Sequence, residues 1–189
     1  VCFKVMEDFV DRYENVPIAG PQYRFFIAPR SDKYPPFVAN TRIYSCLLIE
    51  NTCKHRWRGR YNEDTDICLR VLKDGDCTVQ FNAFLQGKAA TQTLKGGNTE
   101  EFYHAEGVQN KEEWREGRMN YTGTINKSQM LVDMHPDVAR VVWKYGRWHH
   151  YVDYGPFKKN KLKLKDNINL KNETKNYGMK LKKIDKSAA

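Results

Sequence analysis

The sequence predicts an all-β fold: an antiparallel meander closed into a barrel, with a short N-terminal helix and a basic C-terminal hairpin, in a single domain spanning residues 1–189. Three observations lead there. Apolar and polar residues alternate with the two-residue period of strands, most plainly over 161–171, where Leu162, Leu164, Ile168 and Leu170 share one parity and Lys161, Lys163, Lys165 and Lys171 share the other. Turn-forming residues fall between such stretches at hairpin spacing, at Asp74-Gly75-Asp76, Asn126-Lys127 and Gly146-Arg147. At 40% apolar and 13% aromatic, a chain of 189 residues can bury one core, and closing the meander would remove its exposed edges.

The elements follow in order. Val5, Phe9, Val10 and Tyr13 recur at helical spacing and stop short of Pro17, which predicts one helix within the segment 1–20. Extended stretches are expected at 22–28, 41–50, 54–61, 101–108 and 177–184. Opposed residues of antiparallel strands must share a face, so parity fixes registers. Ile67, Leu69 and Val71 match Val79, Phe81 and Ala83 across a three-residue loop at 74–76. Met119, Tyr121 and Ile125 match Ser128, Met130, Val132 and Met134 across Asn126-Lys127. Val141, Trp143 and Tyr145 meet Val152, His150 and Trp148 across Gly146-Arg147, with glycine where a type II′ turn needs it.

Charge is local. Residues 158–189 hold 11 Lys against Asp166, Glu173 and Asp185, a net of +8, while the whole chain is +9. Lys161, Lys163, Lys165, Lys180 and Lys182 therefore form a candidate anion-binding surface, with glycosaminoglycan, nucleic acid or an acidic membrane as the partner class, or else a guard against edge-to-edge pairing. Arg56, Arg58 and Arg60 alternate with Trp57 and Tyr61, which predicts three outward guanidinium groups on one strand, added to the candidate anion-binding surface, with the aromatic rings packed inward.

The five cysteines, Cys2, Cys46, Cys53, Cys68 and Cys77, contain no CxxC pair, which disfavours a zinc site and predicts two disulfides with one spare thiol. Sequons at Asn120, Asn126 and Asn172 point the same way, to a secreted, extracellular protein in mature form from about Val1. No metal or cofactor is expected.

Phe81, Tyr121, Trp143, Tyr145, Trp148 and His150 supply more aromatic bulk than a plain core needs and are the candidate lining of an internal pocket. A cationic amine in it would need an inward carboxylate, and Asp66, Glu101, Glu106 and Asp133 are the candidates. Strand alternation sends His149 and His150 to opposite faces, so they cannot grip one substrate together. A metal-independent ribonuclease would need a second imidazole near His150, from His55, His104 or His135, and no spacing singles one out. No P-loop, Gly-x-Ser-x-Gly, His-Glu-x-x-His or dinucleotide fingerprint occurs.

The short helix, the strand from Tyr23 to Ala28, the loop with Pro35-Pro36-Phe37, the strand carrying Cys46 and the successive hairpins together resemble the secreted lipocalins of blood-feeding arthropods, the tick type in particular. The Gly-x-Trp signature is missing, Val152-Asp153-Tyr154 stands where a Thr-Asp-Tyr element would be, and no cysteine follows Cys77. The resemblance implies a non-enzymatic barrel that sequesters a small amphipathic or amine ligand, or that binds a host protein. The alternatives are a surface-binding module working through its Lys strands and the ribonuclease.

Overall fold

A computed structural model describes residues 1–27, 35–59, 61–88, 122–144 and 147–170. Among them the architecture is a small α/β fold: a four-stranded mixed sheet, a separate two-stranded ribbon and three α-helices. No closed barrel occurs among the described residues, which corrects the all-β expectation. No helix there is long and apolar enough to cross a membrane.

Helix α1 (Cys2–Val10) forms where the periodicity placed it, burying Met6 and packing Cys2, Phe9 and Val10 on the sheet. Strand β1 (Ile18–Tyr23) is buried at all six positions and is followed by a 3-10 turn, Arg24–Phe26, so the extended stretch expected at 22–28 begins and ends earlier. Strand β2 (Phe37–Ala39) and the two-residue β3 (Leu48–Ile49) complete the sheet with β4 (Thr78–Gln86), in the order β2-β4-β1-β3. β1 runs parallel to β4, and β2 and β3 pair antiparallel on the two outer sides. The β1–β4 register slips between Pro21 and Gln22, where Pro21 has no N–H to give to the ladder. Gly20 is required nearby, because a Cβ there would lie 2.2 Å from the Cys46 carbonyl oxygen.

The largest correction concerns 63–73. The alternation of Ile67, Leu69 and Val71 belongs to a helix, α2 (Glu63–Lys73), and not to the first arm of a hairpin. Glu63, Asp64 and Asp66 sit in its first turn and Arg70 and Lys73 in its last, the arrangement a helix macrodipole favours. α2 is buried on two sides, which is why a strand period could be read into it. Ile67, Cys68 and Val71 pack with Ile18, Ile43 and Cys53, while Leu69 and Leu72 pack with Leu131, Val138, Ala139 and Phe157. β4 is a strand as expected, but it pairs with β1 and β2. Parallel β1 and β4 joined through a helix make a βαβ unit.

Residues 122–134 are likewise helical, as α3 (Thr122–Met134), which overturns the Asn126-Lys127 hairpin. The third hairpin does form. β5 (Ala139–Lys144) pairs antiparallel with β6 (Arg147–Val152), but in a register two residues away from the expected one: Val141 faces His150 and Trp143 faces Trp148. A shift of two preserves parity, so Trp143, Trp148, Val141 and His150 still share a face. α3 packs on both strands of this ribbon.

After a second 3-10 turn (Gly155–Lys159), the Lys-rich segment is extended without being a strand. Leu164 makes a single antiparallel bridge with Tyr13, and the backbone is held by asparagines: Asn15 bonds Lys161 O and Lys163 N, and Asn40 bonds the carbonyls of Phe157 and Asn160. The basic hairpin thus reduces, among described residues, to one bridge, and Lys180 and Lys182 lie outside them. All five cysteines are free thiols, three of them buried, which overturns the disulfide expectation. Burial pushes the Cys68 thiol up to about 12. Of the sequons, Asn126 falls within α3, while 120 and 172 lie outside the described residues.

Candidate functional site

A cleft of about 360 Å³ opens between the end of β1 and the start of α2 on one side and β6 on the other. Gln22 comes from the carboxyl end of β1, Phe26 from the turn after it, Gln80 from β4, Thr41, Arg42 and Tyr44 from the β2–β3 connection, and Thr65 from the first turn of α2. The opposite wall is His150, Tyr151 and Val152 of β6 with Tyr154 just beyond. The place is a physical consequence of the topology. A helix that returns between parallel strands begins at their carboxyl ends, so its unsatisfied N–H groups and the loops around them converge on one crevice.

Asp64 is the carboxylate beside this crevice, close enough for its charge to act on the lining Tyr154, though it is not itself part of the lining. It is half-buried, next to the lining residue Thr65, whose N–H and hydroxyl both donate to Asp64 Oδ1 at 2.7 and 3.2 Å. The Arg42 guanidinium is the cation, stacked 4.8 Å from the centre of the Tyr44 ring and 5.5 Å from that of Phe26. Burial, together with the charges of Arg42, Lys127 and His149, lowers the His150 imidazole to about 4, so it is neutral at pH 7. Burial raises the Tyr154 phenol, and Cys68 and Asp64 push it further against the pull of Arg42. The cleft therefore offers a guanidinium and a set of uncharged hydrogen-bonding groups, with a carboxylate beside it. That combination can take a proton from a hydroxyl, face a developing negative charge and read hydroxyl positions.

Beneath the cleft lies a dense ionic knot. Asp66 is 0% exposed and accepts from Arg58 Nε and Nη2 (2.9 Å), Arg70 Nη2 (3.0 Å) and His135 Nε2 (2.8 Å). Burial alone would raise its pKa, but the hydrogen bonds from His135 and Arg58 and the charge of Arg70 hold it at about 2.

The residues singled out from sequence scatter. His150 lines the cleft. Phe81 is buried on the α1 side of the sheet, its ring 5.2 Å from Phe9. Trp143 is 51% exposed and stacks edge-on against Trp148 at 5.1 Å. Tyr121, Tyr145 and Arg60 lie outside the described residues. Arg56 turns back onto the carbonyls of Cys53 and His55, and Arg58 grips Asp66, so neither is simply a free outward charge. Trp57, expected inside, is 53% exposed. Lys161 and Lys163 are exposed and Lys165 is half-buried. Asp66, one of four carboxylates considered for a pocket, is buried without lining the cleft, and two arginines and a histidine occupy it. Among the other histidines considered, His55 bonds Asp74 and His135 bonds Asp66.

Sequence reasoning missed Asp64, Arg42, Gln22 and Tyr154. A signal for the first was present: Asn62-Glu63-Asp64-Thr65-Asp66 ahead of an apolar run closing on Arg70 and Lys73 marks a helix start. Among the described residues, no three His, Cys, Asp or Glu side chains converge as a metal site would require.

Residues 1–97 match the family model of the TET-associated glycosyltransferases, more than half of the 189-residue chain. The chain belongs to the TET-associated glycosyltransferase family. No curated protein and no solved structure matches it. Membership replaces the lipocalin resemblance, and with it the expectation of a non-enzymatic binding protein: this family points to an enzyme, a glycosyltransferase. The resemblance misled because its carriers, a short helix, a proline loop and a strand before a half-buried cysteine, are features many folds share. The surface-binding and ribonuclease alternatives fall with it.

Proposed function

We propose that this chain acts in glycosyl transfer and that the cleft at the start of α2 is where it does so. The observation that carries the reading is a crevice at the start of α2 that is lined by Arg42 and Thr65 and has Asp64 beside it, all within the residues that match the glycosyltransferase family. In such a transfer a hydroxyl oxygen of the acceptor bonds to the anomeric carbon of an activated sugar as the bond to the leaving group breaks. Asp64 takes the hydroxyl proton, and Arg42 faces the charge that collects on the leaving group. Neutral His150, Tyr154, Gln22 and Gln80 suit hydrogen bonding to sugar hydroxyls, which an imidazolium or a phenolate would do less evenly.

The test is release of the leaving group from a panel of nucleoside-diphosphate sugars in the presence of hydroxyl acceptors. Asp64→Asn is expected to slow transfer about 100-fold or more, the lower range for loss of a positioned base, with the melting temperature little changed. Transfer at the wild-type rate in Asp64→Asn would overturn the assignment.

A further inference from the structure

The family match ends at residue 97, yet His150, Tyr151, Val152 and Tyr154 of the cleft lie beyond it. The site is thus bounded by two separately built bodies, the βαβ unit and the layer of α3 with the β5–β6 ribbon. Two directional contacts join them at the first turn of α2. Asn62, in the left-handed conformation at φ 54°, donates from Nδ2 to the Lys127 carbonyl at 2.7 Å, and the fully buried Asp66 accepts from His135 at the end of α3. Arg58 approaches the same carboxylate from a loop whose Gly59, at φ 76°, rides on Met130 and Met134 of α3. The turn that lines the cleft with Thr65 and carries Asp64 beside it is therefore the turn to which the opposite wall is fastened.

We propose that Asp66 and His135 are positioning residues: their hydrogen bond sets the ribbon wall, with His150 and Tyr154, against the Asp64 turn of α2. This rests on the cleft being the transfer site. Neither residue lines it, so each acts through the geometry of others. A buried ion cluster is a poor source of net stability but a good source of unique geometry, since each donor has one acceptor position to find. Leu69, Leu72 and Leu131 supply the apolar contact between the two bodies, and such contacts slide more readily than a carboxylate gripped by three partners.

The experiment compares His135→Leu, which loses the donor, with His135→Gln, which keeps an N–H for Asp66, in the full chain. His150 reports the wall directly by imidazole NMR titration, its neighbours being Arg42 from the β2–β3 connection, Lys127 from α3 and His149 on its own strand. In His135→Leu the His150 pKa is expected to rise by at least one unit and kcat for transfer to fall about tenfold at similar KM, while His135→Gln stays within twofold of wild type. If His135→Leu fails to fold, Asn62→Gly removes the second tie while permitting the same backbone, with the same outcomes expected. An unchanged His150 titration in a folded variant, or equal damage from Gln and Leu, overturns the proposal. Absence of transfer in the wild type would instead remove the functional reading and leave the titration to decide the positioning.

Discussion

The two walls of the cleft are held in different ways. The βαβ wall rests on area: β1 is buried throughout, Ile18 and Val79 are fully excluded from water, and α1 and α2 cover opposite faces of the sheet. The ribbon wall rests on α3 and on a few polar bonds, with Trp143 and Tyr151 half in solvent. Dry packing gives stiffness whatever the details, whereas a wall tied by Asp66 and Asn62 depends on individual atoms. A site placed between the two takes its precision from the second kind of contact.

The comparison breaks most readily at Asp66. Asp66→Ala leaves Arg58, Arg70 and His135 around an emptied position and is expected to cost about 3–5 kcal/mol in urea unfolding, the usual loss when one partner of a buried ion cluster is removed. A loss under about 1 kcal/mol would mean that the ribbon wall is held by apolar contact after all. The acid profile sharpens the point. Asp66 is depressed from 3.8 to about 2, so its contribution is complete above pH 3.8 and is lost as pH falls through 2. His150 is depressed from 6.5 to about 4, so the neutral ring favours the fold above pH 6.5 and that contribution is lost as pH falls towards 4. Acid unfolding followed by circular dichroism should show both windows in the wild type and only the upper one in Asp66→Ala.

The area-built wall has its own weak point, of smaller effect. In Gly20→Ala the new methyl would meet the Cys46 carbonyl at 2.2 Å and Ile43 Cγ2 at 2.5 Å, and an overpacked core of this kind loses about 1–3 kcal/mol, readable as a lowered melting temperature. Smallest is Trp143→Ala. It removes the edge-on contact with Trp148 from a ring already half-exposed, about 1 kcal/mol, and should leave transfer unaltered. A large loss of activity there would place Trp143 in the site, where the sequence first suggested it.

Local pattern was sufficient in some places. Helix α1, strand β4, and both strands of the β5–β6 ribbon with their shared face follow from periodicity. It misled at α2, since Ile67, Leu69 and Val71 satisfy a two-residue period only because the helix is buried on both flanks, and the acidic first turn was the better signal. Arg58 shows the same limit from the other side: alternation with Trp57 said outward, but a carboxylate eight positions later decided its direction.

What the sequence alone determined was therefore whatever depends on neighbours in the chain: the propensity for a short first helix, the ribbon's parity, the local basic charge of the C-terminal segment. What only the tertiary structure decided was which strands pair in parallel, that the cysteines are unlinked, and that residues as far apart as Gln22, Arg42, Thr65 and His150 meet at one crevice. The reason is that a parallel pair and a buried carboxylate take their partners from across the chain, and no periodicity within a segment carries that choice.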